Sequence, residues 1–449
     1  MLGLGRSGVA VANLLASKGF KVLASDQRPH KEIRPIAAKL KPKVKWEAGG
    51  HSDRVLRCAF AVKSPGMPPG APVLERLRAA GIPIFSELEV SLAFCKPGEI
   101  VAITGTNGKT TTTLLTAELF RAAKRKVHVL GNLGVPLARD AARVKKGDSL
   151  VLETSSYQLE DSRQFRPKAA AVLNVTADHL DHHGSMAAYL AAKAKVFAQQ
   201  SRGDVTVFNA GDPLSAQLAR NCPSRRLFFG LQAAASTHAW VQAGKILVKL
   251  PGGPVQSFDP PKLPGTHNLE NAMAAILLAL DRKIPAKAIQ KGLKAFRGVE
   301  HRIEECGATF GIRCVNDSKA TNVESTLVAL RALADGGPGR ILLILGGLHK
   351  GFPYTPLKSF LGGTVKGILT IGSAARKIED DLGGHVPILP CETLEEAVKT
   401  GLKVGEKGDL LLLSPACASF DQFRDFEDRG RRFKALVAAS RAAENGRRQ

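Results

Sequence analysis

Cysteine is sparse: seven are scattered through 449 residues with no C-x-x-C pair. Neither a zinc site nor a disulfide framework is expected from that pattern, and the cytoplasm is the simplest compartment. Apolar runs such as Ile341 to Leu345 and Leu410 to Leu413 fall far short of a membrane span. The opening Met1-Leu2-Gly3-Leu4-Gly5-Arg6 has no basic region, apolar core or cleavage site of a signal peptide. Aromatic residues make up only 5% of the chain, and no basic arm or nucleic-acid motif accompanies them. Acidic residues are also under-represented, 40 against 64 basic, for a net charge of +24. Such a balance occurs in nucleic-acid-binding proteins. Here the positive charge is spread along the chain, so a solvated basic surface that attracts anionic substrates is favoured, with no nucleic-acid partner.

What is present is length and order. A chain of 449 residues is too long for one core, and two or three domains are expected. The central signal is Val101-Ala102-Ile103-Thr104-Gly105-Thr106-Asn107-Gly108-Lys109-Thr110-Thr111. Ile100 to Ile103 has the β-branched content of a buried parallel strand, and the residues from Thr110 to Ala123 read as helix. A strand, a glycine turn ending in Gly-Lys-Thr and a helix form a phosphate cradle. Loop amides and the helix N-terminus face the anion, Lys109 adds charge, and the Thr110 hydroxyl can reach Mg2+. The usual spacing would place glycine at 103, where this chain has Ile103. A strand–helix turn with an incidental lysine is the bland alternative.

Ahead of it, Gly3-Leu4-Gly5-Arg6-Ser7-Gly8 is a G-x-G-x-x-G fingerprint, and the strand Lys21 to Ala24 leads to Asp26. This is a βαβ nucleotide-binding start that would fit an NAD-dependent oxidoreductase equally well. Only Met1 and Leu2 precede the glycines, so the first strand reads as nearly absent and the start as clipped. Ala61-Val62-Lys63-Ser64-Pro65-Gly66 is a strand running into a Pro-Gly turn.

After the phosphate loop, Leu150 to Glu153 and Ala170 to Leu173 are strands, the second leading to Asn174-Val175-Thr176-Ala177-Asp178-His179. Open α/β sheets bind ligands at the carboxyl ends of their strands, which places Glu153, Asp178 and His179 on the phosphate-loop rim. A carboxylate and an imidazole there suit Mg2+ or Mn2+. His182 and His183 read as solvated loop histidines. Ser185 caps a helix whose apolar stripe is Met186, Tyr189, Leu190, Val196 and Phe197, with Lys193 in its middle and Lys195 opposite. A lysine on an apolar face either snorkels or needs a partner or modification. His267-Asn268-Leu269-Glu270-Asn271 opens another helix; its two asparagines share a face and can read a heterocycle, although Asn268 would also serve as a cap.

Beyond the hinge at Phe296-Arg297-Gly298, apolar runs near Cys314-Val315, Ile341 to Leu345, Gly367 to Ile371 and Leu410 to Leu413 alternate with helical patterns. Asn316-Asp317-Ser318-Lys319-Ala320-Thr321-Asn322, Gly346-Gly347-Leu348-His349-Lys350 and Ser414-Pro415-Ala416-Cys417-Ala418-Ser419-Phe420 follow three of them. Three polar or glycine-rich strand ends on one rim argue for a site.

The Thr104 to Thr110 loop resembles that of the Mur ligases and folylpolyglutamate synthetases. The stretches at 316–322 and 414–423 are similar to the branch of the Mur ligase family that adds D-glutamate to UDP-N-acetylmuramoyl-L-alanine. The resemblance covers essentially the whole chain. It implies an α/β fold of three domains, each a mostly parallel sheet with covering helices: a Rossmann-like UDP domain at 1–95, a P-loop-type ATPase domain at 96–298 and a Rossmann-like amino-acid domain at 299–449. It implies a monomer that uses ATP and two Mg2+ ions. It assigns Gly105, Thr106, Asn107, Gly108, Lys109, Thr110, Thr111, Asn268, Asn271, Arg302, Asp317 and Lys319 to ATP. Arg6, Ser7, Asp26, Arg28, Gly66, Asn132, Ser155 and His179 go to the UDP-sugar. Thr321, Lys350, Ser419, Phe420 and Phe426 go to D-glutamate. Thr110, Glu153, His179 and a CO2-derived carbamate on Lys193 would hold the ions, and Lys109, Glu153, His179 and Lys193 carry the catalysis. A ligase for another amino acid or a folate, and a nucleic-acid-dependent ATPase, are the alternatives.

Overall fold

The computed structural model describes residues 1–133, 136–334, 340–349 and 351–448. The chain divides into two compact units, Met1–Lys262 with His267–Phe296, and Leu263–Thr266 with Arg297–Gln449.

The first unit opens on a parallel sheet. Strand Leu23–Asp26 pairs with Lys45–Ala48, and Ala61–Lys63 pairs with Ile84–Ser86. Between these pairs Leu2 makes an isolated parallel bridge to both Ser25 and Lys63. Its amide donates to the Val62 carbonyl at 2.8 Å, and the Gly3 amide donates to that of Ser25 at 2.8 Å. The first strand is thus as short as expected, a single bridging residue between its two neighbours. Helix Arg6–Ser17 follows, burying Gly8, Val11, Leu14 and Leu15. It closes on the strand because Gly8 has no side chain; a Cβ there would lie 2.0 Å from the Gly3 carbonyl oxygen.

The rest of the first unit is built on a sheet of nine strands among the described residues. In spatial order they are Val255–Phe258, Lys245–Lys249, Ala239–Gln242, Arg225–Phe229, Val205–Asn209, Ala169–Val172, Glu99–Thr104, Ser149–Glu153 and Val127–Gly131. All neighbours are parallel except the meander at 239–258. Ser149–Glu153 and Ala169–Val172 are buried along their whole length, as strands covered on both faces must be. Glu99–Thr104, whose Val101 to Thr104 are buried, lies between them, so the phosphate loop emerges flanked by the segments after Glu153 and Val172.

In the second unit the strand order is Glu304–Thr309, Ile312–Asn316, Leu410–Leu413, Ile341–Gly346, Val365–Ile371 and Ile388–Glu392. The first pair is antiparallel and the remainder parallel. Leu410, Leu412, Leu343 and Leu345 pack on one face, and Leu411, Leu413, Leu342 and Ile344 on the other. The period of two along each strand divides them so. No helix of the described residues is long and apolar enough to cross a membrane.

Candidate active site

Asn174, which no local sequence pattern singles out, holds the phosphate loop. The Asn174 carbonyl accepts from the Thr106 amide at 2.9 Å, and its side chain accepts from the Asn107 amide at 2.8 Å and donates to the Asn107 carbonyl at 3.2 Å. Thr106 Oγ1 also lies 3.1 Å from the Tyr189 hydroxyl. Gly108 then enters the left-handed region at φ +81° and caps helix Lys109–Ala122. A side chain at 108 would be strained and would meet Asn271 Oδ1 at 2.3 Å.

Two lysines converge on this loop. Lys109 Nζ donates to the carbonyls of Gly105 (2.9 Å) and Thr106 (2.8 Å). Lys193 Nζ donates to the same Gly105 carbonyl at 3.0 Å and lies 4.4 Å from the Tyr189 ring centroid. Lys193 is 1% exposed. Burial first, and then the Lys109 ammonium, lower its pKa to about 7, with Asp178 acting in the opposite sense. A snorkelling lysine would keep its head in water; this one does not.

Glu153 is buried at the end of its strand. It accepts from Thr110 Oγ1 at 2.8 Å and from Asn132 Nδ2 at 2.9 Å. Thr110 and Asn132 therefore already orient the carboxylate expected to bind metal. A carboxylate and a hydroxyl are oxygen donors suited to Mg2+, so this donor set fits that ion. His179 is 45% exposed, in a left-handed conformation at φ +55°, with Nε2 3.3 Å from Asp178 Oδ2. Ser155 caps the turn at Ser156–Leu159 in a reciprocal box with Gln158.

One reading of the sequence is reversed. His182 and His183 are not solvated: their side chains are 7% and 1% exposed, while His179 faces solvent. A half-buried acceptor, Glu160, draws them inward, a pairing invisible in local sequence. Asn268 and Asn271 are both buried and joined at 3.3 Å. Asn268 is the third residue of helix Thr266–Asp281 rather than its cap. Thr112 Oγ1 donates to Asn271 Oδ1 at 3.1 Å, which brings the asparagines to the phosphate-loop helix.

In the opening sheet, Asp26 accepts from the Leu4 amide (2.7 Å) and from Arg28 Nη2 (2.8 Å). Burial raises the Asp26 pKa, but the hydrogen bonds from Arg28 and Leu4 outweigh it and hold the carboxyl below its usual range. Arg6 and Gly66 are exposed and Ser7 half-buried at the same carboxyl edge.

In the second unit, Asp317 is buried, accepting from Ser414 Oγ at 2.7 Å and the Ile303 amide at 3.2 Å. Burial pushes its carboxyl up to about 7, against Ser414 and the nearby Arg302. Lys319 Nζ lies 5.9 Å from the Phe426 ring centroid, so a residue expected at ATP meets one expected at D-glutamate. Ser419 is buried and Phe420 is 69% exposed; Thr321 is half-buried. Lys350 lies outside the described residues. Arg429, which no local sequence pattern singles out, is fully buried. It donates to the carbonyls of Ser318 (2.9 Å) and Cys417 (3.1 Å), tying two strand-end loops together.

A phosphate cradle, a buried carboxylate beside its threonine, and a second α/β unit with polar strand ends are features of a nucleotide-dependent enzyme. Three family profiles match in order: "Mur ligase MurD-like, N-terminal domain" at residues 1–86, "Mur ligase middle domain" at 103–279 and "Mur ligase, glutamate ligase domain" at 301–417. The UDP-N-acetylmuramoylalanine–D-glutamate ligase of Elusimicrobium minutum is 45% identical over 444 residues, 97% of this chain and 96% of the relative. The protein of that name from Myxococcus xanthus is 42% identical over 98% of this chain and 97% of its own length. Among solved structures, the UDP-N-acetylmuramate–alanine ligase of Thermotoga maritima superposes with a TM-score of 0.62 at 21% identity, covering 98% of each chain. The MurF ligase of the same organism, solved with ADP, gives 0.61 at 16% identity over 97% of this chain and 99% of that one. The chain belongs to the Mur ligase family. Within it, the curated relatives described above are D-glutamate ligases.

Proposed function

We propose that this protein joins D-glutamate to UDP-N-acetylmuramoyl-L-alanine at the expense of ATP, yielding ADP and phosphate, a cytoplasmic step of peptidoglycan precursor synthesis. The terminal carboxylate of the nucleotide-sugar attacks the γ-phosphorus to give an acyl phosphate. The amine of D-glutamate adds to that carbonyl, and the tetrahedral intermediate expels phosphate to leave the amide. Lys109 and the amides of Gly105 to Thr111 hold the phosphates, and Asn268 and Asn271 lie against the base. Arg302, Asp317 and Lys319 complete the ATP contacts. Arg6, Ser7, Asp26, Arg28, Gly66, Asn132, Ser155 and His179 take the nucleotide-sugar, and Thr321, Lys350, Ser419, Phe420 and Phe426 take D-glutamate.

The observation that carries the catalytic reading is the shared Gly105 carbonyl, on which the amines of Lys109 and Lys193 meet. Two cations there repel, and the buried one is held close to neutrality. A neutral amine adds to CO2, forming an N–C bond and releasing a proton, and the resulting carbamate turns the repulsion with Lys109 into attraction. Thr110, Glu153, His179 and that carbamate would hold two Mg2+ ions. Bound there, the ions would neutralise charge developing on the transferred phosphoryl group. The test is phosphate release with ATP, Mg2+ and UDP-N-acetylmuramoyl-L-alanine, comparing D-glutamate with L-glutamate, other amino acids and none. Release that requires both the nucleotide-sugar and D-glutamate is expected; release with another amino acid, or none, overturns the assignment.

A further inference from the structure

A network of half-buried carboxylates around the buried Lys63 lies within the first unit, outside the phosphate loop itself. Lys63, the last residue of strand Ala61–Lys63, is 2% exposed. Its Nζ lies 2.7 Å from both Glu160 Oε2 and Asp161 Oδ2, across 97 residues of sequence to Glu160. The Glu160 carboxylate also faces His182 Nε2 and His183 Nδ1, each at 3.2 Å. His183 Nε2 in turn lies 3.0 Å from Ser156 Oγ. Burial works against the Glu160 charge, but Lys63 and then His182 outweigh it and keep the carboxyl below its ordinary range.

The network touches three stretches. Lys63 precedes the Ser64-Pro65-Gly66 turn, Ser156 follows Ser155, and helix Leu180–His183 is capped by His179. Gly66, Ser155 and His179 are three of the residues proposed above for the nucleotide-sugar, and the His179 carbonyl accepts from the amides of His182 and His183, each at 3.1 Å. Glu160, His182 and His183 also offer donor atoms within 4.8 Å of one another, the makings of a metal site. The Lys63 ammonium argues against that, because it occupies the same carboxylate where a cation would have to bind.

We propose that Lys63 and Glu160 are positioning residues for the nucleotide-sugar, fixing the turn at 64–66, Ser155 and His179 relative to one another. This inference rests on the function proposed above. The test uses the full chain with Lys63→Met, Lys63→Arg, Glu160→Gln and the Lys63→Met/Glu160→Gln double variant. Amide exchange without ligand is read first. Exchange at 64–67 and 178–184 should quicken roughly tenfold in Lys63→Met and Glu160→Gln, with 105–112 unchanged. In turnover, KM for UDP-N-acetylmuramoyl-L-alanine should rise roughly tenfold while kcat and the KM for ATP stay within about twofold. Lys63→Arg should restore most of the loss, and the double variant should be no worse than the poorer single one. Unchanged exchange, or a fall in kcat at constant KM, overturns the proposal. A parent protein that exchanges as expected but does not consume the nucleotide-sugar would instead sink the functional reading, since exchange judges the network without substrate.

Discussion

At the scale of the residue, burial shifts Lys193 and Glu87 toward neutral pH with different consequences. Lys193 has its pKa lowered to about 7 by desolvation and by Lys109, so above that pH the amine is mostly free to take up CO2. Lys193→Ala should lower kcat by roughly a hundredfold or more, a loss of the size seen when one preorganised charge is removed. Added formate or acetate should restore part of it by standing in for the carboxylate. Undiminished phosphate release by the variant would remove the carbamate from the mechanism. Glu87, buried at the start of helix Glu87–Leu92, has its carboxyl pushed up from 4.5 to about 7 by burial, with the Gln158 side chain opposing. The sign follows from proton uptake: between these values the folded chain holds a proton that the unfolded chain has lost. Stability from this group is therefore full below about pH 4.5 and is lost as pH rises through about 7. Glu87→Gln should gain on the parent between pH 5 and pH 8 by on the order of 3 kcal/mol at most. Denaturant unfolding at both pH values measures this; parallel curves for the two proteins would show that Glu87 does not titrate in that window.

At the scale of the element, the phosphate loop works because the helix behind it comes very close. Gly108 adopts φ +81°, and its missing Cβ leaves room for Asn271 Oδ1. Gly108→Ala should cost about 1–3 kcal/mol of stability and weaken ATP binding at least tenfold, read by thermal unfolding with and without ATP. An alanine variant with parental ATP affinity would show that the loop tolerates displacement of Asn271. The loop itself was legible because its chemistry is contiguous: strand, glycines, Lys109 and Thr110 follow one another. Glu153 and Lys193 were legible for related reasons, one ending an apolar run and the other interrupting an apolar stripe. Asn174, Glu160 and Arg429 were not. Each acts on backbone or side chains far away in sequence, 67 residues from Asn174 to Asn107 and 111 from Arg429 to Ser318, so no local period marks it. The inward turn of His182 and His183 was missed on the same ground, since their partner Glu160 stands on another segment. The edge strands Glu304–Thr309 and Ile388–Glu392 were missed too, because their half-exposed residues lack the apolar runs of the central strands.

At the scale of the whole molecule, the excess of 64 basic over 40 acidic side chains needs a physical consequence. ATP, the nucleotide-sugar and D-glutamate are all anions, and a net charge of +24 raises their concentration near the surface. Added salt shortens the reach of that field to about 8 Å at physiological ionic strength and to about 3 Å at 1 M. Salt should therefore act on encounter rather than on chemistry. With free Mg2+ held constant, raising KCl from about 50 mM to about 500 mM should lower kcat/KM for the nucleotide-sugar several-fold while leaving kcat nearly unchanged. The same assay separates the two explanations of the basic charge. If the charge serves substrate capture, duplex DNA or RNA at low salt acts only as a competing polyanion and slows turnover. A nucleic-acid-dependent ATPase would instead show faster phosphate release on adding either polymer. Salt independence of kcat/KM, with no effect of polyanions, would mean that the positive surface has no part in bringing substrates to the site.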